Sequence, residues 1–155
     1  MNHLSRCDNS DGSHCIGGES LIKVYDEEID QVVEKKVCEL VPGRHMLWSV
    51  AQSSTNQYIE LLGIQYSGRA LRVYRFQSPD HAPILLTSGH KLLHQGKIVK
   101  ARDHPEGKRL RDREVHVYNL ITSNGDLVLM SGFQVATESI DHHLGLTAHP
   151  SLPSI

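Results

Sequence analysis

The residues best suited to covalent chemistry begin at Cys15. It follows His14, where a polar arm (MNHLSRCDNSDGSH) gives way to the short apolar alternation of CIGGESLIKVY. A nucleophilic thiol needs access and nearby cationic or hydrogen-bonding help. Without these, Cys15 is an ordinary residue before a strand, ahead of a glycine pair that lets the backbone turn tightly. The next candidate is Thr87-Ser88-Gly89-His90: the apolar run ILLT meets a two-residue bend, and a histidine heads the following segment. Such a bend folds a hydroxyl and an imidazole toward one site. There the imidazole can protonate a departing amide nitrogen while the hydroxyl orients the same peptide group. The alternative is a β-turn with a satisfied histidine beside it. Asp103, in ARDH, is either an auxiliary acid or a loop residue. His142, His143 and His149 suggest a zinc reading, but no Cys-x-x-Cys or His-Glu-x-x-His spacing accompanies them, so no metal site is assigned. Cys7 lies in the arm as a free thiol, and Cys38, inside an apolar stretch, reads as a small core hydrophobe.

These residues must be positioned by one domain, because 155 residues leave little room for a second core. The chain is 39% hydrophobic and 22% charged, an ordinary soluble globular composition. A net charge of −2 without a basic stripe argues against a nucleic-acid partner. No apolar run approaches the roughly 20 residues of a membrane span, and the start has no apolar core of a signal peptide. Compartment therefore stays open: free thiols favour a reducing one, but cysteine usage does not settle it. Three cysteines cannot all pair, and a nucleophile among them would be the one left unpaired.

The elements read mainly as β. MLWSVA, QYIELLGIQY, ALRVYRF and APILLT are short strands separated by turn compositions. KLLHQGKIVKA is expected to form a hairpin bending at Gln95-Gly96. VHVYNLIT and DLVLMS are expected to form another across Ser123-Asn124-Gly125, with GFQVATESI closing the pattern. Residues 26–41 fit either an amphipathic helix on Ile29, Val32, Val33, Val37 and Leu40 or a strand with a turn. Residues 102–114 read as a charged surface loop, and the last residues as a tail with two prolines.

Taken together and in order, these pieces resemble the Hint superfamily of inteins and hedgehog-type autoprocessing domains. CIGGESLIKV is similar to the opening motif, VCELVPGRHML to the "hydrophobic-x-x-Leu-x-x-Gly" segment, and TSGH matches the Thr-x-x-His motif. GKIVKARD resembles the strand that follows that motif, and VYNLITSNGDLVLMSGFQVAT the closing hairpin. The resemblance implies a mainly β horseshoe of short antiparallel strands and hairpins over residues 15–140, between a flank at 1–14 and a tail at 141–155. It further implies that Cys15 attacks the His14 carbonyl and replaces the His14–Cys15 peptide bond with a thioester. In that role His90 protonates the amide nitrogen and Thr87 holds it. The substrate is then the chain's own N-terminal flank, the acceptor is water, a thiol or another nucleophile, no cofactor is needed, and a monomer suffices. Ala136 and Thr137 stand where a splicing intein carries His-Asn, so the terminal cyclisation lacks its nucleophile and full splicing is not expected. Nothing after residue 140 reads as a sterol-recognition extension. Arg44 after Gly43 replaces a usual acidic residue, a change that touches structure more than chemistry. An inactive Hint-like β module for binding or structure is the competing reading.

Overall fold

Alternating apolar and polar residues set the strands, and the glycine-containing turns set where they reverse. The computed structural model describes residues 15–50, 56–111 and 113–144. The strands are β1 (Ile16–Gly17), β2 (Leu21–Asp26), β3 (Gln31–Lys36), β4 (His45–Val50), β5 (Asn56–Glu60), β6 (Gly63–Ala70), β7 (Val73–Phe76), β8 (Ile84–Thr87) and β9 (Lys91–His94). They continue as β10 (Lys97–Lys100), β11 (Lys108–Arg109), β12 (Val115–Thr122), β13 (Leu127–Met130), β14 (Phe133–Ala136) and β15 (Glu138–Ser139), before a one-turn helix α1 (Ile140–His143). The protein is mainly β, built from several antiparallel sheets.

One sheet runs β11-β7-β8-β1-β12-β15, with β6 also paired to β12; a second runs β10-β9-β14-β13; a third runs β3-β2-β4-β5. All three contribute to the main core, which gathers Ile16, Ile22, Leu47, Phe76, Leu86, Leu92, Leu120 and Val128. A smaller cluster joins Cys15 to Ala70, Val73, Leu85, Val115 and Val117. Strand β8 lies between the two: Ile84 and Leu86 enter the first, Leu85 the second, and every residue of ILLT is buried. Strands buried on both faces read as continuous apolar runs, which is why ILLT shows no alternation. The consequence for function is that Thr87, at the end of β8, starts from a rigid base.

Residues 26–41 resolve as a strand: β3 pairs β2 from Gln31 opposite Asp26 to Lys36 opposite Leu21, followed by a short 3-10 turn at Val37–Glu39. Ile29 and Val32, two members of the apparent helical stripe, are about half exposed at 47% and 48%. Cys38 is exposed as well, so it is not a core residue. QYIELLGIQY breaks at Leu61-Leu62 into β5 and β6. The hairpin at Gln95-Gly96 forms as read, Lys97 opposite His94, with both turn residues at positive φ (51° and 79°).

The expected hairpin across Asn124-Gly125 does not form. Strand β12 stays in the first sheet, against β6, β1 and β15, while β13 pairs with β14. The reversal sits one strand later, at Ser131-Gly132, where φ values of 49° and 85° supply the left-handed pair that a tight hairpin turn needs. The chain turns tightly at the Gly17-Gly18 pair, the Ser20 N–H donating to the Gly17 carbonyl at 3.0 Å, and the pair also answers a packing need. A Cβ on Gly17 would stand 2.8 Å from Leu85 Cβ, and one on Gly18 2.6 Å from Tyr118 Cε1. The pair is small so that β1 can lie close between its neighbours.

Candidate active site

β1 and β8 are neighbours, Ile16 opposite Leu86, so the residue before β1 lies beside the residue ending β8. Their backbone and side chain close a small ring. The Cys15 N–H donates to Thr87 Oγ1 at 3.0 Å, and that hydroxyl donates to the Cys15 carbonyl at 3.2 Å. The Thr87 N–H reaches the same carbonyl at 3.0 Å. Thr87 is fully buried, so these bonds are made away from competing water. The nitrogen held by the hydroxyl is the amide nitrogen of the His14–Cys15 bond. His14 itself lies outside the described residues.

The bend after Thr87 is fixed from three sides. The His90 N–H donates to the Thr87 carbonyl at 3.0 Å, closing the turn, and the Ser88 N–H donates to the Arg72 carbonyl at 3.0 Å. The 3-10 turn Ala101–Asp103 closes over it, with the Ala101 N–H on the His90 carbonyl at 2.7 Å and the Arg102 N–H on the Ser88 carbonyl at 3.1 Å. Asp103 therefore belongs to the segment that clasps the site, and its own carboxylate is exposed. The structure brings Thr87 to Cys15 and seats His90 in the adjoining turn; it places Asp103 in the supporting layer.

His90 is 2% exposed, and its Nε2 is 2.7 Å from the Ala136 carbonyl. A carbonyl can only accept, so Nε2 carries the proton and the neutral ring keeps its lone pair on Nδ1. Ala136 is the residue that the sequence resemblance sets at the place of a splicing intein's histidine. Thr137, at the following position, is committed elsewhere: its hydroxyl donates to the Asp126 carbonyl at 2.7 Å and meets Thr122 Oγ1 at 2.8 Å.

Beside His90 opens a cleft of about 370 Å³ lined by Lys91, Asn124, Ala136, Thr137, Glu138 and His142, among others. His142 and His143, with His149, are the residues that suggest a zinc reading in the sequence. Both instead stand against Glu138, at 3.3 and 3.5 Å from its Oε2. Among the described residues no three His, Cys, Asp or Glu are grouped to hold a metal ion; His149 lies outside them.

The Cys15 sulfur does not fit the expectation of an unpaired thiol. It is held in a disulfide whose partner lies outside the described residues, as does Cys7, expected as a free thiol. Three cysteines accommodate one pair and a free Cys38, so an odd count identifies no nucleophile. Cys15 is also fully buried. Burial is no obstacle to attack on the adjacent residue's carbonyl, because that reaction is intramolecular. The free thiol is no better placed for nucleophilic chemistry. Desolvation, with the carboxylates of Glu19 and Glu39, pushes Cys38 above its ordinary value, away from the thiolate form.

No family model and no curated protein matches the chain. Solved structures do. A DnaB intein from Synechocystis sp. PCC 6803 is similar at a TM-score of 0.62 and 12% identity, covering 80% of this chain and 98% of that one. A DnaX mini intein from Spirulina platensis is similar at a TM-score of 0.59 and 12% identity, covering 79% and 98%. At this identity the likeness speaks for the fold, and it spans nearly the whole of both inteins. The chain has the Hint fold, the fold of these inteins.

Proposed function

We propose that the chain is a self-processing domain that cleaves its own His14–Cys15 peptide bond, with residues 1–14 as the flank acted on. The observation that carries this reading is the Thr87 hydroxyl on the Cys15 amide nitrogen, at the one bond an N-to-S shift must break. The similarity to inteins, Hint-fold domains related to self-processing and splicing, supports it.

In the first step Cys15 Sγ bonds to the His14 carbonyl carbon and the carbon–nitrogen bond breaks. The proton lost by the thiol ends on the Cys15 nitrogen, which leaves as an amine. His90 delivers that proton, and Thr87 keeps the nitrogen in line; preorganised polar groups of this kind lower a barrier without reorganising during the reaction. The thioester lies uphill of the amide, so the reaction needs its second step, attack by water or a thiol. That step frees the flank at His14 and restores the Cys15 thiol. Ala136 and Thr137 provide no amide side chain, so the domain stops at N-terminal cleavage or transfer and does not splice.

The disulfide adds a condition: Cys15 attacks only after reduction. It also favours a second reading, in which the oxidised chain serves as an inert β module. One experiment addresses both. A carrier protein is fused ahead of residue 1 and followed by intact mass, with and without a phosphine reductant, and with and without a small thiol. The expected result is release between His14 and Cys15 only after reduction, faster with thiol, and abolished by Cys15→Ala. An intact fusion under reduction with thiol overturns the self-cleavage reading and leaves the inert module.

A further inference from the structure

The cleft beside His90 carries a second histidine with a carboxylate behind it. β15 is fixed to β12 by parallel pairing, Glu138 beside Ile121 and Ser139 beside Thr122, and the Glu138 side chain is only 13% exposed. The chain then turns at once into α1, where the Ser139 hydroxyl oxygen accepts from the His142 N–H at 3.1 Å. That cap swings His142 Nδ1 to 3.3 Å from Glu138 Oε2. An ionised carboxylate only accepts, so Nδ1 carries the proton and Nε2 keeps the lone pair. This is the arrangement of an oriented general base on an exposed side chain (66%): one ring nitrogen held by a half-buried acid, the other left to take a proton. His142 lines the cleft together with His90, Ala136 and Glu138; His143, though near the same carboxylate oxygen, does not.

We propose that His142, oriented by Glu138, is the general base that activates the acceptor resolving the Cys15 thioester. The proposal rests on the self-cleavage reading and assigns its second step. His90 serves the first step: its turn adjoins the amide nitrogen and its Nε2 is spent on the Ala136 carbonyl. The acceptor for which a base matters most is water, a poor nucleophile until its proton is removed. Nε2 of His142 takes that proton as the water oxygen bonds to the His14 carbonyl carbon. The carbon–sulfur bond breaks, the flank leaves as a carboxylic acid, and the Cys15 thiolate recovers the proton from the imidazolium. A small thiol brings its own thiolate and bypasses the base.

The test separates the two steps in the reduced carrier fusion. Release driven by excess thiol reports thioester formation; release in water alone reports both steps. His142→Gln is expected to leave thiol-driven release unchanged and to slow water-driven release about 100-fold, the lower end of general-base contributions. Glu138→Gln slows it less, and His143→Gln leaves it at the parent rate. Added imidazole restores water-driven release to His142→Ala, which a structural role would not allow. Water-driven release at the parent rate in both His142→Gln and Glu138→Gln overturns the proposal, as does a parallel fall in thiol-driven release. A parent fusion that releases nothing with reductant and thiol overturns the self-cleavage reading beneath it, so the two failures are distinct.

Discussion

Two histidines are buried to nearly the same degree in different sheets, His90 at 2% and His45 at 3% exposure. Each holds one ring nitrogen against the backbone, but with opposite sense. His45 Nδ1 accepts from the Val41 N–H at 2.9 Å, which leaves its proton on Nε2, 3.5 Å from Asp26 Oδ2. Asp26 is in turn taken up by two Arg44 contacts of 2.9 Å and by the Glu28 N–H at 3.0 Å. That set is structural, and Arg44 is the residue that takes up the Asp26 carboxylate. His90 has the same tautomer but turns the other nitrogen to the backbone, donating from Nε2, and it borders a cleft and the turn that grips Cys15. Burial and tautomer alone therefore do not mark a catalytic histidine; what matters is which ring nitrogen the backbone takes up and what lies beside the ring.

The comparison breaks most sharply in a pair of variants. His90→Ala is expected to slow release of the flank by about 100-fold or more, measured by intact mass on the reduced fusion with thiol. His45→Ala should release at the parent rate. If both slow equally, the distinction between catalytic and structural histidines is lost. Thr87→Val comes next: it keeps the shape and the Thr87 N–H but removes the hydroxyl from the Cys15 nitrogen, for a loss of about 100-fold. It also leaves a buried Cys15 N–H without its acceptor, so the fold should lose about 1–3 kcal/mol in denaturant titration.

Smaller effects sharpen the structural side. His45→Ala should lower unfolding free energy by about 1–3 kcal/mol through the orphaned Val41 N–H, with no kinetic change. Acid should then reveal the network. Desolvation holds His45 below its ordinary value of 6.5, so the unfolded chain binds its proton first and stability falls as pH drops below that point. The Arg44 guanidinium holds Asp26 down to about 2, so a further loss follows between pH 3.8 and about 2. Melting against pH in Arg44→Met should lose much of that second decline; an unchanged profile would remove Asp26–Arg44 as its origin.

Legibility in the sequence followed locality. Thr87 and His90 could be read because strand, bend and histidine are contiguous, and the clamp on Cys15 needs only that β1 lie beside β8. Gln95-Gly96 could be read because its hairpin is local. The Asn124-Gly125 signal failed because the same left-handed preference serves any sharp exit from a strand. Gly125 sits at φ 70° where the chain leaves one sheet for another, and a Cβ there would stand 3.2 Å from the Thr137 carbonyl oxygen and the Ser139 nitrogen. Ser131-Gly132, a weaker signal, made the turn. Residues 26–41 were ambiguous because valine and isoleucine at 29, 32, 33 and 37 satisfy both periods; pairing with β2 decided for the strand. The Glu138–His142 pair was missed, although its trace is present in Ser139-Ile-Asp-His142, a capping serine three residues before the histidine. Nothing in the sequence placed that cap at the cleft, because only the parallel pairing of β15 with β12 does so.

The account stands on a thioester at Cys15, and hydroxylamine reports it directly. It attacks a thioester under conditions that leave peptide bonds intact. The reduced carrier fusion, treated with hydroxylamine and read by mass, should yield a flank ending in a His14 hydroxamate and a second fragment beginning at Cys15, neither formed in Cys15→Ala. An intact His14–Cys15 bond in the treated fusion, or its cleavage without a His14 hydroxamate, would contradict the account.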